Sequence, residues 1–486
     1  MGALEADRYD ASIVSQWTRI LNSAWLWIVV GLVVLAGVFL SFFELRIHHG
    51  DPRGVGGAEQ IEALSERDDV NVLFILIDMV RADRLGAYGY ERDTSPNLAL
   101  LASRGVRFAN TQAQSSWTKA SMASLWTSLY PARAGVTRHN DVAPEEARMP
   151  AEILKEAGFR TVGLWRNGWV DPSFGFGQGF DVYHRPASAP DPPSIRRENP
   201  TLKTGGTDED ALNAADEFLR VFGDDRWFLY LHLMDVHEYL YDESSALFGT
   251  TYSDVYDNSI RRVDGLIGQF LVKLAERGFL ENTVIVIASD HGEAFRERGY
   301  EGHARWVYRE TTEVPLIISL PFMLEPGVVV EARARNIDVW PTIFDLLGLP
   351  ARENVDGRSL LPALRAAMAG EEPGKSPLGI AHLDKRWGRS GEQVDHTVSL
   401  VDGPFRFVQT YGPAGKPVRE QLFDSRADSE ELENVIEQHP GVAEDLREQA
   451  RAYIDDSVVP WSEDNPTVEL DEMQLNLLRA LGYQLP

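Results

Sequence analysis

Five short runs of apolar residues recur along the 486-residue chain, and segments with helical periodicity lie between them. Short runs that are apolar throughout are typical of strands covered on both faces of a sheet, and such sheets are usually parallel. Strands that alternate with helices predict an α/β fold, a doubly wound and mostly parallel sheet. The five runs are residues 71–78, 160–165, 227–235, 283–290 and 314–321.

Three of these runs end in aspartate, at Asp78, Asp235 and Asp290. Ligands of open α/β sheets bind outside the carboxyl ends of the strands, so we expect these carboxylates in one crevice. Clustered carboxylates repel each other unless a cation lies between them. His291 directly follows Asp290 and adds a nitrogen donor, so the pattern predicts a divalent metal site. The alternative is that each aspartate caps the helix that follows its strand.

Two further histidines lie close in sequence to these aspartates. His237 comes two residues after Asp235, and His303 comes twelve residues after His291. We expect His237 at the crevice, whereas His303 lies either there or at the surface. Arg81 and Asp83 are interpreted as a structural ion pair beneath the site.

The formal net charge of −27 and the absence of cysteine exclude several classes of protein. Nucleic-acid binding needs a basic face that displaces counterions, so no nucleic-acid partner is expected. Disulfides, thiolate metal sites and a cysteine nucleophile are excluded as well. The sequence carries no signal for an oligomeric state.

Residues 24–43 form a run of twenty residues without a charge. As a helix this run would rise about 30 Å, the thickness of a bilayer's hydrocarbon core. We interpret it as a single transmembrane anchor; the alternatives are a buried core helix and a cleaved signal peptide. The basic residues on its two sides balance, so they do not indicate its orientation.

The anchor divides the chain into five predicted parts. Residues 1–23 form an N-terminal segment, residues 24–43 the anchor, and residues 44–69 a polar stalk. Residues 70–345 form the predicted catalytic α/β domain. From about residue 346 the pattern changes to short antiparallel strands and one amphipathic helix, which predicts a smaller α+β subdomain over residues 346–486. The proline-rich residues 186–210 are interpreted as a surface loop.

Long sequence blocks in this order resemble the sulfatase branch of the alkaline phosphatase superfamily. The N-terminal block is LIDMVRADRLGAYGYERDTSPNLALLASRGVRFAN, and the blocks YLHLMDVHEY, TVIVIASDHGE and VPLIISLP follow it. IDVWPTIFDLLGLP and QLFDSRADSEELENV resemble the family's C-terminal blocks. The resemblance spans roughly residues 70 to 486 and implies an alkaline phosphatase-like fold.

The segment SSWTKASMASLWTSLYP departs from the sulfatase signature. The resemblance places Thr118 at the nucleophile position, where sulfatases carry a Cys or Ser that is oxidised to formylglycine. Ala120 and Met122 replace the proline and arginine of that signature. Threonine has a methyl group on Cβ and cannot form the aldehyde, so formylglycine chemistry is ruled out. A threonine nucleophile is similar to that of lipoteichoic acid synthases and phosphoethanolamine transferases, which are membrane-anchored with an extracytoplasmic catalytic domain.

The resemblance also implies roles for individual side chains. Asp78, Asp290 and His291, with Thr118 as fourth ligand, would hold one divalent ion, either Mn, Zn, Ca or Mg. His237 and His303 resemble the family's substrate-contacting basic residues. Asn167 resembles an asparagine that donates to a phosphoryl oxygen; the alternative is an Asn-Gly turn. Met79 stands where many sulfatases have a second aspartate, so we expect one tightly held ion, with any second ion recruited by substrate.

These features predict a membrane-anchored, metal-dependent enzyme that cleaves phosphodiester or lipid-headgroup bonds with Thr118 as the nucleophile, either as a hydrolase or as a transferase. Its catalytic domain would lie on the periplasmic side of a bacterial inner membrane, and its substrates would be small-molecule, lipid or glycan esters. The first alternative is a sulfuric ester hydrolase that works without formylglycine. A second alternative, from another class, is a catalytically silent binding or scaffold protein of the envelope.

Overall fold

The computed structural model describes residues 23–25, 27–28, 31–32, 35, 50–186, 206–372, 374–384, 396–412, 415–461, 464–470, 472, 475 and 478. The chain divides into two units, residues 1–52 and residues 53–486, and the second unit contains the predicted catalytic residues. Most of the predicted anchor, residues 24–43, lies outside the described residues, as do residues 187–205 of the predicted surface loop. The part of the chain that the structure describes contains no helix with the length and apolar character of a membrane span.

The centre of the second unit is an eight-stranded sheet whose strand order is β8-β2-β7-β6-β1-β5-β3-β4. The strands are β1 (Asn71–Ile77), β2 (Val106–Phe108), β3 (Arg160–Leu164), β4 (Val182–His184), β5 (Trp227–Leu233), β6 (Thr283–Ala288), β7 (Leu316–Ser319) and β8 (Val328–Val330). The five apolar runs are therefore strands of one sheet, as the sequence predicts.

Strand directions are mostly parallel. Central strand β1 pairs in parallel with β5 on one side and with β6 on the other. Strand β3 pairs in parallel with β5 and with β4. Strand β7, the last of the five predicted runs, pairs antiparallel with β6 and with β2. Because β7 runs in the opposite direction, its carboxyl end points away from the crevice formed by the other strands.

Helices cover both faces of this sheet, so alternate residues of β1 enter different cores. Phe74 and Leu76 pack with Trp126 and Trp340 on one face, where the two indole rings stack with centroids 5.2 Å apart. Ile75 and the other residues of that parity pack on the opposite face against the helix Tyr252–Glu276. Burial on both faces explains why the strand is apolar throughout.

Eleven α-helices and eight 3₁₀ turns connect the strands within the described residues. The α-helices are Ala58–Ala63, Pro96–Ser103, Thr118–Thr127, Pro131–Ala134, Pro150–Glu156, Asp208–Phe222, Tyr252–Glu276, Arg309–Thr312, Val339–Leu346, Leu361–Met368 and Pro440–Asp456. The 3₁₀ turns are Leu64–Glu66, Ala82–Arg84, Gly86–Tyr88, Glu145–Ala147, Gly168–Val170, Pro172–Phe174, Leu280–Asn282 and Asn336–Asp338.

The C-terminal part of the chain forms its own antiparallel sheet, as expected. Its strands are β9 (Gly379–Asp384), β10 (His396–Asp402), β11 (Phe405–Tyr411) and β12 (Pro417–Asp424), which pair in sequence order. Leu400 and Phe407 of this sheet pack with Leu446 of the helix Pro440–Asp456. Five further strands are two residues long: Thr111–Gln112, Glu313–Val314 and Ala334–Arg335 form one small sheet, and Ala294–Phe295 pairs with Glu301–Gly302.

The second half of the predicted stalk lies on the body of the second unit. Arg53 is buried and donates to Ser319 Oγ at 2.6 Å and to the Leu320 carbonyl at 2.8 Å. Ile61 and Leu64 are buried in the same core as Phe74. The boundaries between the five predicted parts remain predictions.

Candidate functional site

The site forms where neighbouring parallel strands β1 and β6 end. Leu76 of β1 lies opposite Ala288 of β6, so the residues that follow the two strands emerge side by side. Asp78 follows β1, and its amide donates to the Leu233 carbonyl of β5 at 3.0 Å. Asp290 and His291 follow β6, and all three side chains are fully buried. The strand pairing thus brings together residues more than 200 positions apart.

Asp78, Asp290 and His291 form a cluster that could hold a metal ion, with one ligand atom of each within 4.8 Å of the others. His291 Nε2 lies 3.8 Å from Asp78 Oδ1 and 3.4 Å from Asp290 Oδ2. Within the described part of the chain, these two carboxylate oxygens have no hydrogen-bond partner. Buried polar atoms are rarely left without a partner. Two carboxylate oxygens and an imidazole nitrogen suit a divalent cation, which would satisfy both oxygens.

The two carboxylates have opposite electrostatic shifts. Burial raises the pKa of Asp290, and the nearby Asp78 carboxylate raises it further. Burial also acts to raise the pKa of Asp78, but His237, His232 and His291 outweigh it and hold this pKa below its usual range. The low-dielectric site therefore accommodates one negative charge more readily than two, as expected of a carboxylate pair without an added cation.

Thr118 begins the helix Thr118–Thr127 and is fully buried beside this cluster. Its Oγ1 lies 3.1 Å from His291 Nε2. The helix is tied to β6 by Ser121, whose hydroxyl donates to the Asp290 carbonyl at 2.5 Å. The amino end of a helix carries partial positive charge and favours anions. The structure therefore brings the predicted nucleophile to the predicted metal ligands, at a position suited to an anionic group.

Asn167 forms the turn that its sequence context predicts and also contacts the cluster. Its Oδ1 accepts from the Trp169 amide at 2.9 Å, which forms the turn after β3. Its Nδ2 donates to Asp78 Oδ2 at 2.6 Å and to Thr118 Oγ1 at 3.3 Å. The turn therefore aims the amide group at the candidate ligand and the candidate nucleophile together.

His237 and His303 lie over the same cluster. The His303 ring stacks on His291 with centroids 4.4 Å apart, and the His237 ring lies 5.0 Å from His303. Burial lowers the pKa of His237 to about 4, although Asp78 opposes this. Burial also disfavours the charged form of His303, but the charge and hydrogen bond of Glu293 raise its pKa above the usual value. The two imidazoles are therefore shifted in opposite directions, the pKa of His237 toward the neutral form and that of His303 toward the protonated form.

Asp235 does not join the cluster, which corrects the expectation that three aspartates converge. Its Oδ1 accepts from Arg166 Nη1 at 2.6 Å and from the Asp208 amide at 3.0 Å. In turn, Asp208 accepts from the Met234 and Asp235 amides at 2.6 and 2.9 Å. These exchanged hydrogen bonds hold the Asp235 carboxylate at the start of the helix Asp208–Phe222. Asp235 thus contacts the start of the helix that precedes β5, and not the helix that follows its strand, which the cap alternative had expected.

Sequence reasoning missed two residues of the site. His232, inside β5, is fully buried, and its Nε2 lies 3.0 Å from Asp78 Oδ2. In the sequence, His232 is a single histidine within an apolar strand, a pattern that does not distinguish a site residue from a core residue. Glu293 is also buried, and its Oε2 lies 3.1 Å from His303 Nδ1. The predicted Arg81–Asp83 pair is present, with two hydrogen bonds of 2.9 and 2.7 Å between the side chains.

Backbone strain accumulates around these residues. Met79, which follows Asp78, has a φ of 67°, Tyr239 has 54°, and Ala304, which follows His303, has 55°. Non-glycine residues in this left-handed region cost of order 1–3 kcal/mol each and cluster at active and ligand sites. The strain supports the interpretation of this crevice as a functional site.

Comparisons with known proteins agree on one family. The family model described as Sulfatase matches residues 70–349. A second model, described as N-sulphoglucosamine sulphohydrolase, C-terminal, matches residues 297–455. An N-acetylgalactosamine-6-O-sulfatase from Bacteroides thetaiotaomicron is 24% identical over 485 residues, covering 78% of this chain and 92% of that protein. Arylsulfatase K from Xenopus laevis is 30% identical over 196 residues, but the match covers 40% of this chain and only 35% of that protein.

Solved structures share the fold. A phosphonate monoester hydrolase from Silicibacter pomeroyi aligns with a TM-score of 0.62 at 21% identity, covering 80% of this chain and 96% of that chain. A structure described as a complex with its substrate D-glucosamine-2-N,6-O-disulfate aligns with a TM-score of 0.60 at 17% identity, covering 80% of this chain and 98% of that chain.

Proposed function

The chain belongs to the sulfatase family of hydrolases, and we propose that it hydrolyses sulfate esters of small molecules or glycans with Thr118 as its nucleophile. One observation carries the proposal: Thr118 Oγ1 lies 3.1 Å from His291 Nε2 in the buried Asp78–Asp290–His291 cluster. The sulfate specificity is supported by the relatives, which include N-acetylgalactosamine-6-O-sulfatase and arylsulfatase K.

Asp78, Asp290, His291 and Thr118 would hold a divalent ion, as members of this family bind one. When bound, such an ion lowers the pKa of a coordinated hydroxyl and offsets the negative charge of the ester. Asn167 orients Thr118 through its amide hydrogen bond to Oγ1. Burial excludes bulk water around Thr118 and strengthens each electrostatic interaction in the site.

The reaction proceeds in two displacements at sulfur. Thr118 loses its hydroxyl proton to a water molecule that enters the site with the ester, and its Oγ1 forms a bond to sulfur while the bond from sulfur to the leaving oxygen breaks. The leaving alcohol takes a proton from His303. Water then attacks the threonyl sulfate at sulfur, which releases inorganic sulfate and restores the Thr118 hydroxyl. The methyl group of Thr118 excludes the aldehyde route, so the second displacement has to occur at sulfur.

A second candidate is the hydrolysis of phosphate or phosphonate esters at the same site. Thr118 itself favours this candidate, because threonine replaces the residue that becomes formylglycine in sulfatases. The shared fold with a phosphonate monoester hydrolase is compatible with it. The same in-line displacement by Thr118 would then occur at phosphorus, and an acceptor alcohol could replace water in the second step.

The experiment uses the full chain in detergent with Mn²⁺ or Ca²⁺ and three nitrophenyl substrates: a sulfate ester, a phosphate diester and a phosphonate monoester. We expect sulfate turnover to exceed the other two, and Thr118→Val to reduce it by roughly 1,000-fold or more, as is usual for loss of a nucleophile. Thr118→Ser retains the hydroxyl and serves as the matched control. Faster diester or phosphonate turnover selects the second candidate, and full activity of Thr118→Val would overturn the nucleophile assignment.

We also propose that residues 24–43 anchor the enzyme in a bacterial inner membrane with its catalytic domain on the periplasmic side, near lipid or glycan esters of the envelope. The support is the uncharged length of this run and its position before the catalytic region. Protease added to spheroplasts should degrade the region after residue 44 if this is correct. Recovery of the full chain in the soluble fraction of disrupted cells would contradict it.

A further inference from the structure

The Glu293 carboxylate lies beyond the candidate metal ligands and contacts His303. Glu293 Oε2 lies 3.1 Å from His303 Nδ1, and the exposed fraction of the Glu293 side chain is only 2%. The carboxylate is itself held in place. Its Oε1 accepts from the Ala294 amide at 3.1 Å, and its Oε2 accepts from the Tyr239 hydroxyl, also at 3.1 Å. A carboxylate fixed at both oxygens is a rigid acceptor for the imidazole.

The His303 ring is fixed from two further directions. It stacks face to face on His291, with an angle of 28° between the ring planes. The backbone next to it is tied to the segment before the nucleophile, because the Ala304 amide donates to the Ser116 carbonyl at 2.8 Å. With Nδ1 at Glu293, the ring presents Nε2 on its other side.

His303 also lies where the site opens. Thr118, Asp78, Asp290 and His291 are fully buried, whereas 11% of the His303 side chain is exposed. Because His303 lies over the buried cluster and is partly exposed, we place the alcohol part of an ester that reaches Thr118 on the side of His303. A ring nitrogen in this place is suited to donate to the leaving oxygen.

We propose that Glu293 is a positioning residue: its carboxylate accepts from Nδ1–H of His303, fixes the orientation of the ring and stabilises the imidazolium, whose Nε2–H donates to the leaving oxygen. This inference rests on the proposed ester hydrolysis at Thr118. Glu293 touches neither the ester nor the candidate metal ligands in this arrangement, and it acts through His303. Tyr239 in turn positions Glu293, because its hydroxyl donates to the same carboxylate oxygen, Oε2, that contacts His303.

Leaving-group dependence distinguishes this role from a structural one. A nitrophenolate leaves without a proton, whereas the oxygen of a sugar or alkyl alcohol needs one. Positioned proton transfer contributes roughly 100- to 10,000-fold to rates. We expect Glu293→Ala to lower kcat for a sugar ester by roughly 100-fold and for the matching nitrophenyl ester by less than about 10-fold. KM and bound metal should be unchanged.

A double-mutant cycle with His303→Ala tests the route of the effect. If Glu293 acts through His303, adding Glu293→Ala to His303→Ala lowers sugar-ester turnover no further. Equal losses for the two esters in folded Glu293→Ala, or additive losses in the double variant, would overturn the inference.

Two conservative variants keep the test decisive if Glu293→Ala does not fold. Glu293→Gln has one acceptor oxygen for the three donors that contact the carboxylate, so a smaller but still leaving-group-dependent loss is expected. Tyr239→Phe should give the smallest loss of the same kind, and the absence of leaving-group dependence in both variants would refute the inference. Failure of the proposed function is distinguishable, because the unmodified enzyme would then turn over neither ester.

Discussion

Replacing Asp290 with asparagine should stabilise the metal-free protein and abolish its stabilisation by metal. Asp290 Oδ2 and the nearby Asp78 Oδ1 are both buried without a hydrogen-bond partner among the described residues. An unsatisfied buried polar atom costs about 1–3 kcal/mol, and a second carboxylate nearby adds repulsion. Asparagine removes the charge, and its carbonyl oxygen can still accept the 3.2 Å hydrogen bond from the Met79 amide.

The expected shifts in melting temperature follow from the size of the folded unit. For a unit as long as residues 53–486, a change of 1 kcal/mol moves Tm by roughly 1 °C. Metal-free Asp290→Asn should therefore melt roughly 1–3 °C above the metal-free wild type. A metal ion at about 1,000 times its Kd adds about 4 kcal/mol, or roughly 4 °C, to the wild type. The variant should show no such gain.

Asp235→Asn is the matched control, because Asp235 also follows a central strand and is fully buried. Its carboxylate is paired with Arg166, and breaking a buried ion pair costs about 3–5 kcal/mol. This variant should melt below the wild type and keep the full metal response. Both are measured by scanning fluorimetry on chelator-treated full chain with and without Mn²⁺. A metal-free Asp290→Asn that melts below the wild type, or one that keeps the metal response, would refute the reasoning.

Three further predictions concern the groups around the ligands and the pH dependence of folding. His232→Gln removes the imidazole that contacts Asp78. Metal affinity measured by calorimetry should therefore fall roughly 10- to 100-fold, as it does when other residues that orient metal ligands are replaced. An unchanged metal affinity would contradict this prediction. Asn167→Ala removes the amide that contacts Asp78 and Thr118. In steady-state assays at saturating metal, kcat should fall at least about 10-fold. Burial raises the pKa of Asp264 to about 6, although hydrogen bonds from the start of the helix Pro96–Ser103 oppose this. An acid whose pKa is higher in the folded state contributes stability below its unfolded pKa and loses it as pH rises. The free energy of unfolding in urea should therefore fall by roughly 2 kcal/mol more between pH 4 and pH 6 in the wild type than in Asp264→Asn.

The sequence was sufficient to predict the sheet and most of the crevice. The apolar runs ending at Asp78 and Asp290 predicted parallel strands of one sheet, and the structure makes these strands neighbours and places the two residues in one cluster with His291. The position of Thr118 was implied by resemblance to the sulfatase family, and the structure places its hydroxyl at the cluster. These predictions succeeded because the carboxyl ends of adjacent parallel strands share one edge of the sheet.

Other features could not be derived from the sequence pattern. An apolar run has no direction, so the antiparallel pairing of β7 with β6 follows only from the path of the chain. Asp235 looked equivalent to Asp290 in sequence, but Arg166 and the Asp208 amide hold it elsewhere. His232 looked like a core residue of β5, and only its distance to Asp78 reveals its contact with the site.

The sequence by itself determined the class of fold, the family and the chemistry that residue 118 cannot perform, because these depend on local pattern and on the covalent structure of one side chain. Only the tertiary structure decided which buried polar groups pair with each other. It gave Asp235 an arginine partner and, among the described residues, left one oxygen each of Asp78 and Asp290 without a hydrogen-bond partner beside His291. The physical reason is that a buried polar atom has to find a partner in space, and spatial neighbours from distant parts of the chain leave no trace in local sequence.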